Sequence, residues 1–263
     1  MMKEIKLNLK KQSNIALEFD NILPELLYDK SKQEIGQTII YQGNREIILS
    51  DCCEITVTGK CQSPENCIIK IYGELDRIKR IGYQMSCGQI EAHGNVDFHT
   101  GSKMSGGHLT VYGDAESYAG CEMTGGLLEI MGNTKEFCGS SYPGEWRGMS
   151  GGKIIVHGNA GKQLAEFMIG GQITVKGDCD ILAGVHMAGG QIQIEGKIKQ
   201  WYGGQMKRGT IIINKTQEKI LPGFILEETI ANPLINGKYY IGKYKLYTGD
   251  KGAKGKGQIW IKQ

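Results

Sequence analysis

GSKMSGGHLTVYG, residues 101–113, carries two kinds of signal in one phrase. Counting Met104 as position zero, Leu109 at +5 and Val111 at +7 are apolar, and Thr110 between them is polar. Alternation of period two marks a short strand with one buried face. Gly107 at +3 and Gly113 at +9 bracket that strand, and Asp114 follows at +10. Gly followed by Asp or Asn is turn chemistry, because these residues tolerate positive φ and the Asp or Asn side chain bonds its own backbone. One strand between turns cannot close a core alone.

The chain says the phrase again. Met85, Met104, Met123, Met149, Met168, Met187 and Met206 are spaced 19, 19, 26, 19, 19 and 19 residues apart. Around them stand GYQMSCGQIEAHG, GSKMSGGHLTVYG, GCEMTGGLLEIMG, WRGMSGGKIIVHG, AEFMIGGQITVKG, GVHMAGGQIQIEG and GGQMKRGTIIINK. Positions +5 and +7 are apolar in all seven copies, and +3 is always Gly. Six copies carry Gly at +9, and five have Asn or Asp at +10 (Asn95, Asp114, Asn133, Asn159 and Asp178). Stacked turns solve the burial problem: strands of equal phase pair in parallel about 4.8 Å apart, and like residues form ladders, with the Met column as adaptable filler inside. The predicted fold is all-β, a right-handed parallel β-helix of 19-residue turns. A WD-type propeller needs repeats about twice as long, and Gly this frequent argues against helix.

The pattern fades toward both ends. IIKIYGEL (68–75) and EITVTGK (54–60) look like earlier rungs without the Met. Residues 1–50 read as a small α+β cap, in which KEIKLNL, TIIYQ and EIILS are strands and LEFDNILPELLYD is a turn or short helix; an exposed solenoid end needs such a cap. The expected division is a cap over 1–50, the β-helix over 51–215 with its repeats at 82–215, and a C-terminal extension over 216–263. Within that extension GDKGAKGKG (249–257) reads as a flexible basic tail, or as a dock for an acidic partner or phosphate.

Composition narrows the function class. The chain has 263 residues and a formal charge of +3, too balanced to indicate nucleic acid as a main partner. No apolar run reaches signal-peptide or membrane-helix length, so a soluble, cytoplasmic protein is expected. Eight Cys without a secretory signal read as reduced thiols rather than as a disulfide framework.

The same residues offer no evident chemistry. His93 and His157 share position +8 but lie three rungs apart, about 14 Å at this spacing, and His99, His108 and His186 fall at other phases. Cys52, Cys53, Cys61 and Cys67 lie close in sequence without a CxxC pair. They read as small buried hydrophobes, with a metal site as the remaining possibility. Cys87, Cys121, Cys138 and Cys179 occupy different phases. No Ser-His-Asp order or paired acid motif stands out, so no catalytic, cofactor-binding or metal residue is assigned.

The Met-Gly-Gly repeats over 82–215 resemble the C subunit of formylmethanofuran dehydrogenase of methanogenic archaea. The chain length, the roughly 80-residue N-terminal part and the WRGMSGG copy behind an insertion also fit. Departures are Ala165 at a Gly position, Cys87 and Arg208 at +2, and Lys215 at the final Gly. The repeat is also similar to the C-terminal β-helical domain of the glutamate synthase large subunit, whose amidotransferase and flavin domains have no counterpart here. The resemblance implies a non-catalytic scaffold subunit in an oxidoreductase complex that reduces CO2 and attaches it to methanofuran. It places a tungsten or molybdenum pterin, iron–sulfur clusters and a dinuclear metal site in other subunits, and implies those subunits as partners. The alternative is the equivalent β-helical subunit of a formyltransferase/hydrolase complex of methylotrophs. A stand-alone polysaccharide lyase or acyltransferase would need clustered acids or a catalytic His on one face.

One interval breaks the period. Twenty-six residues in place of nineteen put seven extra ahead of Met149, in SYPGEWRGMSGG (141–152). A loop should bulge there, carrying Tyr142, Pro143, Trp146 and Arg147. Trp beside Arg is interface chemistry, so this loop is the expected point of contact with a partner subunit, against the alternative of a Trp folded down onto its own coil.

Overall fold

The computed structural model describes residues 2–10, 14–215 and 219–263. It is mostly β. Eight strands, Cys67–Tyr72, Gln89–His93, Ser105–Val111, Gly125–Ile130, Lys153–Val156, Gln172–Val175, Ala188–Ile194 and Arg208–Ile213, pair in parallel, each with the next. The register joins equal phases: Ile90, Leu109, Leu128, Ile154, Ile173, Ile192 and Ile211 stand in one line. Each +11 residue adds a second parallel ladder of single bridges, Val96 to Ala115, Thr134, Ala160, Cys179 and Ile198. The coils therefore stack on two faces, as the period predicts. All seven repeat Met side chains are fully buried between them.

The constant Gly at +3 follows from that packing. At Gly107 φ is +73°, and a Cβ there would lie 2.6 Å from Met85 Cε and 2.8 Å from the Cys87 carbonyl oxygen. Gly171, Gly190 and Gly209 likewise leave room for the Cε of Met149, Met168 and Met187, while Gly126 and Gly152 lie against the backbone of the coil before. At +10 the side chains form a ladder of their own. The backbone N–H of Asp114 donates to Asn95 Oδ1 at 2.9 Å, Asn133 to Asp114 at 2.6 Å, Asn159 to Asn133 at 2.9 Å and Asp178 to Asn159 at 2.8 Å.

Hydrogen bonds also run between coils at the turns. The residue after each Met donates to the preceding coil's Met carbonyl, as in Ser105 to Met85 (2.9 Å) and Thr124 to Met104 (2.7 Å). The residue before each Met donates upward, as in Lys103 to Cys121 (2.7 Å) and Phe167 to Val185 (3.0 Å). At the first and last copies a carboxylate takes the place of the neighbouring Met carbonyl or corner carbonyl. Glu25 Oε1 accepts from Ser86 N at 2.6 Å below the first copy, and Asp250 Oδ2 accepts from Gln205 N at 3.2 Å above the last. Charged acceptors make the stronger hydrogen bonds. Glu25→Ala is therefore expected to lower stability by about 1–3 kcal/mol, read as a shift in the denaturant midpoint without change of slope.

Several sequence expectations change. EITVTGK is no rung of the stack: Cys53–Thr58 runs antiparallel to Lys3–Leu9 and ends the sheet, while Lys3–Leu9 itself pairs in parallel with Cys67–Tyr72. GDKGAKGKG is no flexible tail. Asp250 N bonds the Met206 carbonyl (3.2 Å), and Lys256 N bonds that of Lys207 (2.8 Å). Gly257–Lys262 then adds another parallel strand beside Arg208–Ile213. Beyond it, Lys243–Gly249 and Ile225–Ala231 turn antiparallel. Tyr240, Tyr244, Leu246 and Trp260 cover Ile212, an apolar residue at a mostly polar outward phase. The cap contributes the helices Pro24–Leu27 and Lys32–Gly36 and a small sheet that pairs Leu17–Glu18 with Ile78–Lys79. Among the described residues no helix is long and apolar enough to cross a membrane.

Candidate functional site

Two turns in every coil decide what the corners expose. In the six copies outside the insertion, the residues five before and one before the repeat Met take positive φ although none of them is Gly, among them His99 (67°), Tyr118 (67°), Phe167 (57°) and His186 (57°); Phe137 (63°) holds the five-before place ahead of the inserted loop. Left-handed backbone costs about 1–2 kcal/mol for a residue with a Cβ. Up to His186 each such N–H is satisfied by the next coil, as with Tyr118 to Glu136 at 3.0 Å. The result is a corner of outward rings. Tyr118 stacks on Phe137 (4.9 Å between centroids) and on His99 (5.3 Å), and farther along Phe167 stacks on His186 (4.4 Å).

The inserted loop sits on this corner. Met149 N donates to Gly139 O at 3.1 Å, the bond that Met123 N makes to Gly120 O at 3.2 Å in a regular coil. The extra residues therefore leave and re-enter without disturbing the stack. Tyr142 to Glu145 closes a turn through Glu145 N to Tyr142 O (3.0 Å), with Pro143 and Gly144 (φ +90°) at its centre. Pro then Gly at those places is the type II arrangement.

The four loop residues do not behave alike. Tyr142 folds down: it is half-buried, its ring lies 5.7 Å from Tyr118, and its hydroxyl is 3.2 Å from His99 Nδ1. Lys103 Nζ lies 5.4 Å from its ring, and Glu122 accepts from its N–H at 3.1 Å. Pro143 and Arg147 are exposed. Trp146 meets Phe167 edge-on at 5.3 Å yet stays 74 % exposed. Its indole is propped outward by an ordered ring rather than buried under one.

Burial sets the protonation of the Tyr142–His99 pair. It pushes the Tyr142 phenol up to about 12, so the hydroxyl keeps its proton and donates. Burial, with Arg80 and Lys79 nearby, holds His99 below the ordinary imidazole value, so its ring is neutral and accepts. An unfolded His99 takes up its proton near pH 6.5, before the folded one does. Stability should therefore be full above that pH and fall as the pH drops toward the folded value. Thermal unfolding at pH 7.5 and pH 5 checks this, and His99→Gln should shrink the difference.

The outer face of the main sheet holds a cluster that the repeat phases alone obscured. Glu129 at +6 meets His157 Nε2 at 2.8 Å and His108 Nε2 at 3.7 Å. His108 (+4) and His157 (+8) therefore share one face, contrary to their reading as separate phases, since even positions of consecutive coils align on a diagonal. His93 pairs with Glu91 at 3.2 Å and stacks between Tyr72 (4.3 Å) and Tyr112 (4.5 Å). Among the described residues no three His, Cys, Asp or Glu side chains converge as a metal would require. The early Cys residues lie in two places: Cys52 beside Cys53, and Cys61 against the Tyr28 carbonyl with Cys67 buried at a strand start.

No family model matches the chain. It is 42% identical over 98 residues to the C subunit of the molybdenum-containing formylmethanofuran dehydrogenase 1 of Methanosarcina barkeri, covering 37% of this chain and 32% of that one. It is 42% identical over 102 residues to the C subunit of the tungsten-containing formylmethanofuran dehydrogenase 2 of Methanothermobacter wolfeii, covering 38% of this chain and 37% of the relative. These matches span about a third of the relatives' length. Among solved structures, a chain of the formyltransferase/hydrolase complex (FhcABCD) from Methylorubrum extorquens, in complex with methylofuran, matches with a TM-score of 0.84 and 27% identity over 98% of this chain and 99% of that one. The resemblance read from the repeats is thus a homology: over about a third of its length the chain is related to the C subunits of tungsten- and molybdenum-containing formylmethanofuran dehydrogenases, and over nearly all of it the fold is that of a chain of the FhcABCD complex.

Proposed function

We propose that the chain is the non-catalytic, β-helical subunit of a formylmethanofuran dehydrogenase complex, in which it holds the catalytic subunits in place. That complex reduces CO2 and attaches it to methanofuran as formylmethanofuran, the first step of methanogenesis. The observation that carries the reading is the pairing of 42% identity to tungsten- and molybdenum-type C subunits with a chain-long fold match to a member of a multi-chain complex. Stacked coils suit this work because they expose long ordered faces. The connections between parallel strands favour the right-handed sense for the coils. In this reading the pterin metal, the iron–sulfur clusters and the dinuclear site belong to other subunits. Docking centres on the loop, where Trp146 stands 74 % exposed with Pro143 and Arg147 beside it.

Native purification through this chain tests the reading. A formylmethanofuran dehydrogenase should co-purify in fixed ratio, and the chain alone should show neither turnover nor stoichiometric tungsten, molybdenum or iron. Turnover or metal in the lone chain would overturn the scaffold role. Trp146→Ala should weaken recovery of the complex by about thirtyfold or more, the scale of an interface hot spot, while the thermal midpoint stays within about a degree of wild type, as for an exposed substitution. The FhcABCD likeness favours a second reading, the corresponding subunit of a formyltransferase/hydrolase complex. A co-purified assembly lacking any tungsten or molybdenum subunit would select it.

A further inference from the structure

Cys52 and Cys53 stand apart from the other thiols. Neighbouring residues in a regular strand send their side chains to opposite faces. Here the chain changes from the short helix Leu49–Cys52 to the strand Cys53–Thr58 between them, and the two Sγ atoms come to 3.8 Å. Cys52 is partly open to solvent, while Cys53 is 2% exposed. Lys10 lies over the same joint, with its N–H on the Cys52 carbonyl at 2.8 Å and its Nζ on the Ser50 carbonyl at 2.7 Å. The joint therefore holds an accessible sulfur, a second sulfur in contact behind it and a cation alongside.

We propose that Cys52 and Cys53 form a redox-active vicinal dithiol, oxidised by a low-molecular-weight or protein disulfide to an intramolecular disulfide and restored by thiols. Cys52 Sγ, as thiolate, attacks one sulfur of the oxidant, forms a mixed disulfide and expels one thiolate. Cys53 then gives up its proton and attacks Cys52 Sγ, which closes the ring and expels the second thiolate. Two protein thiols and one disulfide become one protein disulfide and two thiols, with no other reactant.

Three features fit this order. The contact with Cys53 holds the Cys52 thiol below its ordinary range, while the same contact and burial push Cys53 far up. Cys52 is thus the entering nucleophile and Cys53 the resolving group. The deeply buried Cys138 is pushed up to about 12 by burial, which makes it inert by comparison. The ring formed by adjacent residues is tight, and strained disulfides are the easily reduced ones. Closure would also fix the carbonyl that Lys10 N–H bonds, at the edge where Cys53–Thr58 covers Lys3–Leu9.

The sequence supplies a clean readout. Trypsin releases residues 46–60, between Arg45 and Lys60, with Cys52 and Cys53 as its only thiols. After treatment of the full chain with oxidised glutathione, that peptide should be lighter by two hydrogen atoms, and dithiothreitol should restore it. Cys53→Ser should trap a glutathione adduct on Cys52, and Cys52→Ser should leave Cys53 unmodified. In the untreated chain Cys52 should be alkylated at least about tenfold faster than Cys138. A wild-type peptide that stays a dithiol while other thiols oxidise, or that stops at a mixed disulfide, would overturn the proposal. Both wild-type outcomes are read without relying on either variant to fold.

Discussion

Met123→Ala is expected to cost about 2–5 kcal/mol, the range for deleting a buried thioether or leucine-sized side chain from a packed interior. Met123 is fully buried near the middle of the column, with Met104 before it and Met149 after it. Nothing nearby collapses easily into its place. The backbone on both sides is fixed by coil-to-coil hydrogen bonds, such as Ser150 N to the Met123 carbonyl at 2.8 Å. The cavity therefore persists, and a large share of a typical 5–15 kcal/mol stability goes with it. Chemical denaturation followed by circular dichroism measures the loss. Met123→Leu, close in volume, should cost less than about 1.5 kcal/mol. If the alanine variant loses less than about 1 kcal/mol, well under the cavity range, the column is packing around space already available.

Excision of residues 141–147 should separate folding from docking. Removing these seven residues restores the regular interval of nineteen and leaves Ser140 and Gly148 to span the turn between Gly139 and Met149. The Met149 N–H already bonds Gly139 O as in an uninterrupted coil, so the stack should re-form. The loss of Tyr142 from the His99–Tyr118 corner should cost no more than about 2 kcal/mol, the scale of burying part of one aromatic side chain. Recovery of partner subunits should fall by about a hundredfold or more, because the loop's Trp and Arg are the residue types that dominate interface energies. Equal recovery by the excised and native chains would remove the loop from the interface and point to the flat faces instead.

The repeat was legible because its causes are local and recur. A Met, a Gly three residues on and apolar residues at +5 and +7 set the strand phase, the close approach and the core, and each recurrence tested the last. The ends were legible only in part. EITVTGK alternates as any half-buried strand does, and alternation carries no information on whether the partner runs parallel or antiparallel. GQIWIK in fact keeps the repeat's form: Gly257 holds the +3 place, where a Cβ would meet Met206 Sδ at 2.4 Å, and Ile259 and Ile261 are buried at +5 and +7. Its membership is hidden because no Met precedes it and an excursion of more than 40 residues separates it from Arg208–Ile213. The loop's length and place followed from counting. That Tyr142 would turn inward and Trp146 outward did not, since it depends on rings brought from neighbouring coils. The Glu129 bridge between His108 and His157 is likewise a diagonal across three coils.

The two carboxylates at Glu25 and Asp250 make the repeat array a ruler bounded by its terminators. Every interior coil offers the same donors upward and downward, so a further 19-residue unit placed between Thr124 and Ser150 would meet matching groups on both sides. Each added unit would lengthen the molecule by about 4.8 Å and leave both ends unchanged. The distance between whatever binds one end and whatever binds the other is then written in the number of repeats, and it can be altered in fixed steps.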